Sequence, residues 1–175
     1  MSKLSKALIA AAGNSGGAGL MVEDVFSTYL YAGNGSTQTI TNSIDLDGEG
    51  GLVWLKDRSF AFQHRIYDTE RGATKSLSSN DTSAEFTISD GLTSFNSDGF
   101  SLGSSSTHNR SGSDYASWTF RKAEKFFDVV TWTGDGTAGR QIAHNLGSAP
   151  AVIIIKSVSF ANNWLYNYNF GGSGY

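Results

Sequence analysis

Apolar residues beyond residue 21 come in short runs, rich in aromatic and β-branched side chains and bounded by turn residues. The runs at 25–31, 52–56 and 115–120 are the clearest, and the last alternates so that every second side chain falls on one sheet face. Asn-Gly, Asp-Gly and Gly-Gly pairs separate such runs and favour tight turns, because these residues tolerate positive φ. The pattern predicts an all-β fold, with an antiparallel β-sandwich of jelly-roll or lectin-like type over residues 22–122.

The predicted core follows from the same alternation. A Trp in an alternating strand is more often buried than exposed, so we place Trp54 and Trp118 inside. The alternative is an exposed aromatic that stacks on a sugar ring, which also applies to Trp132 and Trp164. The expected core side chains are Phe26, Val53, Leu55, Ile66, Phe95, Phe100 and Trp118.

The last fifty or so residues partly repeat the start of the first unit. Val53-Trp54-Leu55-Lys56 is similar to Ile153-Ile154-Ile155-Lys156, and Ser59-Phe60-Ala61 recurs as Ser159-Phe160-Ala161. An offset that stays at 100 to 101 residues indicates a duplication. We expect a smaller β unit over residues 126–175, which has too few strands to bury its own core and must pack on the first unit or on another chain.

Residues 1–21 differ from the rest of the chain. Leu4, Ala7, Leu8 and Ala11 fall at the i, i+3, i+4 and i+7 positions of a short helix, and a glycine-rich stretch follows them. We predict that this apolar stripe anchors the protein to a partner. A well-ordered tail is one alternative, and a secretory signal is another, although the apolar run is short against the usual ~7–15 residues.

Composition excludes several functional classes. The net charge is −3 and the 13 Lys and Arg residues are scattered, so neither nucleic acid nor an anionic membrane is an expected partner. The absence of Cys excludes disulfides, thiolate metal sites and cysteine catalysis. No apolar run approaches the ~18 residues of a membrane span, so no membrane insertion is expected.

Catalytic patterns are incomplete. The three histidines, His64, His108 and His144, come without a Gly-x-Ser-x-Gly elbow, and His108 is predicted to be solvated in a Ser-rich loop. Asp68 and Glu70 would share one strand face, as in jelly-roll glucanases, but the third alternating acid is missing. We interpret this segment as a strand end and turn held by charges, and predict no catalytic residues.

An acidic turn at Asp45-Leu46-Asp47-Gly48-Glu49 is the remaining candidate for a cation. Oxygen-rich turns suit Ca²⁺, but the spacing does not complete an EF-hand loop, which needs about twelve residues and a distal Glu. We predict no metal and no cofactor, and leave open a weak cation site at Asp45–Asp47.

Five longer strings carry a family resemblance. They are residues 25–38, Gly50-Gly51-Leu52-Val53-Trp54-Leu55-Lys56, Tyr67-Asp68-Thr69-Glu70-Arg71-Gly72, Ser94-Phe95-Asn96-Ser97-Asp98-Gly99-Phe100 and Ser117-Trp118-Thr119-Phe120-Arg121-Lys122. Together they resemble a β-sandwich domain found in virion and tail-fibre-like structural proteins of marine tailed bacteriophages, and residues 127–147 resemble the unit that follows it there. The resemblance implies a lectin-like sandwich on the phage surface, and no catalytic residues.

These observations predict a phage virion structural protein, a tail-fibre or appendage component that contributes to attachment and host-surface glycan recognition. Its expected partners are other virion proteins, reached through the anchoring segment, a host-surface glycan, and further copies of itself in a homotrimer. The alternative is a secreted carbohydrate-binding module or glycosidase.

Overall fold

The computed structural model describes residues 19–168, so the predicted anchoring residues Leu4, Ala7, Leu8 and Ala11 lie outside it. Nearly all regular structure in this range is β, which confirms the all-β prediction. One helical turn, α1 (Val22–Val25), precedes the strands. The strands are β1 (Phe26–Ala32), β2 (Gln38–Thr41), β3 (Gly51–Asp57), β4 (Arg65–Asp68), β5 (Lys75–Ser78), β6 (Phe86–Thr87), β7 (Leu92–Asn96), β8 (Gly99–Leu102), β9 (Asp114–Arg121), β10 (Val152–Ile155) and β11 (Leu165–Tyr168).

The strands form three antiparallel sheets. A six-stranded sheet has the order β1-β9-β3-β4-β5-β6, a three-stranded sheet has the order β2-β8-β7, and β10 pairs with β11 alone. One buried cluster takes side chains from both larger sheets, among them Val53 on β3 and Phe100 on β8. The core therefore lies between these two sheets, as in a sandwich. Residues 19–168 contain no helix long and apolar enough to cross a membrane.

Most of the predicted core residues are buried or packed against the core, and the others lie on the outer face of the six-stranded sheet. Val53, Leu55 and Phe100 are fully enclosed, and Ile66 is also buried. Phe95 packs against the core while partly exposed. The prediction that Trp118 lies in the core is wrong. Trp118 pairs with Trp54 in the β3–β9 register, and Trp54 alternates along β3 with the inward-facing Val53 and Leu55, so both tryptophans lie on the outer face.

The outer face of the six-stranded sheet is instead partly covered by its own aromatic rings. The rings of Trp54 and Trp118 meet edge to face at 5.9 Å. Phe26, also expected in the core, is half-buried and packs against Phe120 with ring centroids 4.9 Å apart. Large aromatic residues on the outer positions thus pair with each other, which removes part of their surface from water without entering the core.

The C-terminal hairpin repeats the pairing of an earlier one. Val53 pairs with Tyr67 in β3–β4, and Ile153 pairs with Asn167 in β10–β11. Every register pair of β3–β4 recurs in β10–β11 at an offset of 100 residues. The similarity between the two segments therefore includes the pairing register of their hairpins as well as their sequence.

A lysine at the end of the first strand of each hairpin is part of this repeat: Lys56 is the penultimate residue of β3, and Lys156 directly follows β10. The Lys56 ammonium donates to the carbonyls of Phe60 and Phe62, at 3.1 and 3.0 Å, and so holds its own loop together. The Lys156 ammonium donates to Ser157 within its own loop and to the Thr82 carbonyl in the first unit, at 3.3 Å.

The loop between β10 and β11 also fixes the hairpin to the first unit by other bonds. The backbone N–H of Asn162 donates to the Thr82 carbonyl, and the indole of Trp164 donates to the Ser78 carbonyl at 3.0 Å. The loop between β10 and β11 thus rests on β5 and the segment that follows it.

Candidate functional site

A cleft of about 340 Å³ opens where the end of β9 meets the segment 129–145. Both charged and aromatic side chains line it, and those that matter for its chemistry are Glu70, Lys122, Trp132, Arg140, Gln141 and Asn145. The segment has no regular strand, so hydrogen bonds from its neighbours must hold it in place.

Asp128 supplies the main attachment. Its side chain is 4% exposed and lies 3.6 Å from the Lys122 ammonium, while its other oxygen accepts the backbone N–H of Asn145 at 2.7 Å. A buried carboxylate is stable only when it is paired, and here it is paired on both oxygens. This carboxylate joins the end of β9 to the far end of the segment.

Lys122 and Glu70 line the cleft as a bonded pair. The two side chains bond at 2.7 Å, and this bond, more than the nearby Asp128, raises the pKa of Lys122. The ammonium is therefore charged at any physiological pH. Glu70 and Lys122 keep some exposure, so each retains capacity for a further hydrogen bond to a ligand.

Trp132 forms the aromatic wall, and its side chain is 43% exposed. Close to it, Arg140 donates to the Thr133 carbonyl and pairs with Asp135 at 3.2 Å. The guanidinium is planar and held at one end, which leaves other N–H groups for a ligand. An exposed aromatic face beside fixed donors and acceptors suits a ligand with both an apolar face and hydroxyl groups.

Asp68 and Glu70 do not form a joint site. Asp68 is buried against Arg71, with 2.6 Å between the carboxylate and Nε, and accepts the Arg71 backbone N–H as well. Glu70 instead points to Lys122. The interpretation of this segment as a strand end and turn held by charges is confirmed. Arg65 takes no part in it, because it donates to Ser78 and lies over the ring of Phe86.

His108 is fully buried, so the prediction that it is solvated is wrong. Its Nε2 lies 2.7 Å from the hydroxyl of Tyr67, and its Nδ1 lies 2.7 Å from the hydroxyl of Thr107. Burial lowers the pKa of His108 to about 3, and the nearby Arg65 acts in the same direction. The neutral imidazole therefore serves as a hydrogen-bonding part of the core.

The same Ser-rich loop folds back onto the sandwich through Asn109. The Asn109 amide donates to the Gly103 carbonyl at 3.0 Å, and its oxygen accepts the Asn34 backbone N–H at 2.9 Å. A loop of polar residues is predicted from sequence to be solvated, but Ser105, His108 and Asn109 of this loop are buried. The hydroxyl of Tyr67 could have indicated that polar side chains are buried here, because a buried Tyr hydroxyl needs a polar partner.

His64 and the acidic turn have local roles. The Trp54 indole donates to Nδ1 of His64 at 3.1 Å, and burial, followed by the charge of Lys56, lowers the pKa of that imidazole. Asp45 accepts the Gly48 backbone N–H at 2.8 Å, as in an ordinary Asx turn. Within residues 19–168, no three His, Asp or Glu side chains are grouped to hold a metal ion.

The fold and cleft define an all-β, sandwich-like protein with a polar and aromatic cleft beside its main sheet. By sequence, residues 22–170 match the family described as a domain of unknown function (DUF7483), and the chain belongs to that family. The matched range takes in the sandwich, the cleft segment and the C-terminal hairpin together. No curated protein and no solved structure matches the chain.

Proposed function

We propose that this chain is a structural protein of a phage virion, a tail-fibre or appendage component that binds a host-surface glycan in the cleft beside Trp132. The resemblance of its longer strings to tail-fibre-like proteins supports the virion setting. The observation that carries the glycan assignment is the exposed Trp132 ring in a cleft that also offers Glu70, Lys122, Arg140 and two amide side chains.

Sugar rings match this set of groups. One face of a pyranose presents C–H groups that stack on an aromatic ring, and its edge presents hydroxyls that both donate and accept. Glu70 accepts, Lys122 and Arg140 donate, and Gln141 and Asn145 do both. The bond from Lys122 holds the Glu70 carboxylate in place, so that its remaining lone pairs can accept sugar hydroxyls.

Binding to purified polysaccharide of a host surface tests the glycan assignment. Trp132→Ala should weaken binding about tenfold, equivalent to about 1.4 kcal/mol, as expected for one lost stacking partner. Tyr29→Ala is the matched control, because Tyr29 is a half-exposed aromatic on β1 and does not line the cleft. Equal loss in both variants, or none in either, would contradict a sugar site at Trp132.

Mass spectrometry of purified particles tests the virion setting. The proposal predicts this chain in the particle, docked on other virion proteins through Leu4, Ala7, Leu8 and Ala11, and assembled as a homotrimer. A chain found free in culture medium, which binds polysaccharide but is absent from particles, would instead support a secreted carbohydrate-binding module.

A further inference from the structure

The charged groups of the cleft are paired with one another or with neighbouring carboxylates. Of the described residues that line the cleft, three are charged: Glu70, Lys122 and Arg140. The Lys122 ammonium bonds to Glu70 at 2.7 Å and lies 3.6 Å from Asp128, and the Arg140 guanidinium lies 3.2 Å from Asp135. Each cation of the cleft therefore already has a carboxylate within ion-pair distance.

Negative charge exceeds positive charge around the cleft. The lining residues and their ion-pair partners comprise two cations and three carboxylates, which leaves a net charge of −1. A neighbouring hollow of about 200 Å³ shares Lys122 and Asn145 with the cleft and adds the acids Glu49 and Glu124. Arg121 offsets one of these acids, since it lies 3.7 Å from Glu49. The cleft and its continuation thus present an acidic surface to a ligand.

An anionic sugar would meet this charge at close range. A carboxylate or sulfate that approached the Arg140 guanidinium would also approach Asp135, which offsets the attraction and leaves the ligand's desolvation uncompensated. One unbalanced like charge at about 4 Å weakens binding about fivefold even at the dielectric constant of water. A neutral hydroxyl meets no such cost, because a paired ammonium or guanidinium still has N–H groups to donate.

We propose that the cleft selects uncharged glycans and discriminates against polysaccharides that carry carboxylate, sulfate or phosphate groups. This inference rests on the proposed function and specifies the ligand of the same cleft. The amide side chains of Gln141 and Asn145 fit an uncharged ligand, because each both donates and accepts hydrogen bonds with hydroxyl groups. The stacking face of Trp132 likewise needs no charge on the ligand. Asp135 is the residue that sets this selectivity at Arg140.

Matched polysaccharides that differ in charge test the inference. Dextran, mannan and galactan are each immobilised unmodified, carboxymethylated, and hydroxyethylated as a control for the added bulk. At about 0.15 M salt, charges more than about 8 Å away are largely screened, so the local groups dominate. The full chain should bind the unmodified and hydroxyethylated forms of the polymer it recognises about fivefold more tightly than the carboxymethylated form. Trp132→Ala should weaken this binding.

Two Asp→Asn variants separate the cleft from the overall charge of the chain. Asp135→Asn removes the charge beside Arg140 but keeps an oxygen for the backbone N–H of Thr137. It should reduce the preference for the uncharged polymer about fivefold, because the guanidinium then has no carboxylate partner. Asp114→Asn makes the same change in net charge at an exposed position at the opposite end of β9, and should keep the wild-type preference.

The outcomes distinguish this inference from the glycan assignment itself. Trp132-dependent binding that is equal or stronger for the carboxymethylated polymers would overturn the inference and leave the glycan assignment intact. No Trp132-dependent binding to any polymer would overturn the glycan assignment, and the inference with it. Equal shifts of preference in Asp135→Asn and Asp114→Asn would mean that overall charge is responsible, which also overturns the inference.

Discussion

Acidification should destabilise the protein through His108. The folded pKa of His108 is about 3, whereas a histidine in an unfolded chain has a pKa of about 6.5. Between these values the unfolded state binds a proton that the folded state does not, so stability falls as the pH falls. At 1.36 kcal/mol per pH unit, going from about pH 7 to about pH 4.5 should remove about 2.5 kcal/mol, with an upper limit of about 4–5 kcal/mol at still lower pH.

Urea unfolding, monitored by tryptophan fluorescence at several pH values, measures the free energy of unfolding. His108→Gln removes the titrating group, and it should cost about 1–3 kcal/mol at neutral pH because the hydrogen bonds to Tyr67 and Thr107 are disturbed. His108 is the titratable group by which the two proteins differ. The stability of the wild type relative to the variant should therefore fall by about 2.5 kcal/mol between about pH 7 and about pH 4.5.

The exposed His144 provides the control. His144→Gln also removes a histidine but leaves the buried bonds of His108 to Tyr67 and Thr107 in place, so its stability at pH 7 should be close to that of the wild type. If wild type and His108→Gln lose stability in parallel between pH 7 and pH 4.5, His108 is not the buried neutral group described here, and the explanation for its burial is wrong.

Three further predictions concern the charged turn, one glycine and the N terminus. Arg71→Met leaves the buried carboxylate of Asp68 without its charged partner and should cost about 3–5 kcal/mol in chemical denaturation; an unchanged midpoint would refute this. Gly99→Ala should lower the melting temperature by several degrees, because its Cβ would lie 1.9 Å from the Ile40 carbonyl oxygen, whereas Gly134→Ala has open space and should not. Removal of residues 1–18 should leave the sandwich folded but absent from purified particles, and normal incorporation would contradict the anchoring hypothesis.

The sequence was most informative where alternation was regular. It predicted strand β3 and the burial of Val53 and Leu55, and it revealed the 100-residue repeat whose register the structure shows. It misplaced Trp54 and Trp118, because a large aromatic was assumed to face inward although the alternation with Val53 already required the opposite face.

The candidate cleft was harder to predict than the fold. Trp132 and Arg140 lie in a segment without regular strands. The hydrophobic periodicity of the sequence therefore does not predict that they lie near Lys122 at the end of β9. Their proximity depends on the two contacts of Asp128, to the Lys122 ammonium and to the Asn145 amide, and neither contact leaves a local signal. The burial of His108 escaped prediction for the same reason, since its partner Tyr67 is 41 residues away in the chain.

The two equivalent lysines use the same ammonium group in two different ways. Lys56 binds carbonyls of its own loop, whereas Lys156, at the corresponding place in the second hairpin, also binds the Thr82 carbonyl, which lies outside that hairpin. A lysine at this place can therefore either close its own loop or attach the hairpin to a neighbouring segment, because any backbone carbonyl within reach of the ammonium is a suitable acceptor. Which carbonyl the lysine meets thus decides whether the hairpin is closed on itself or joined to the rest of the fold.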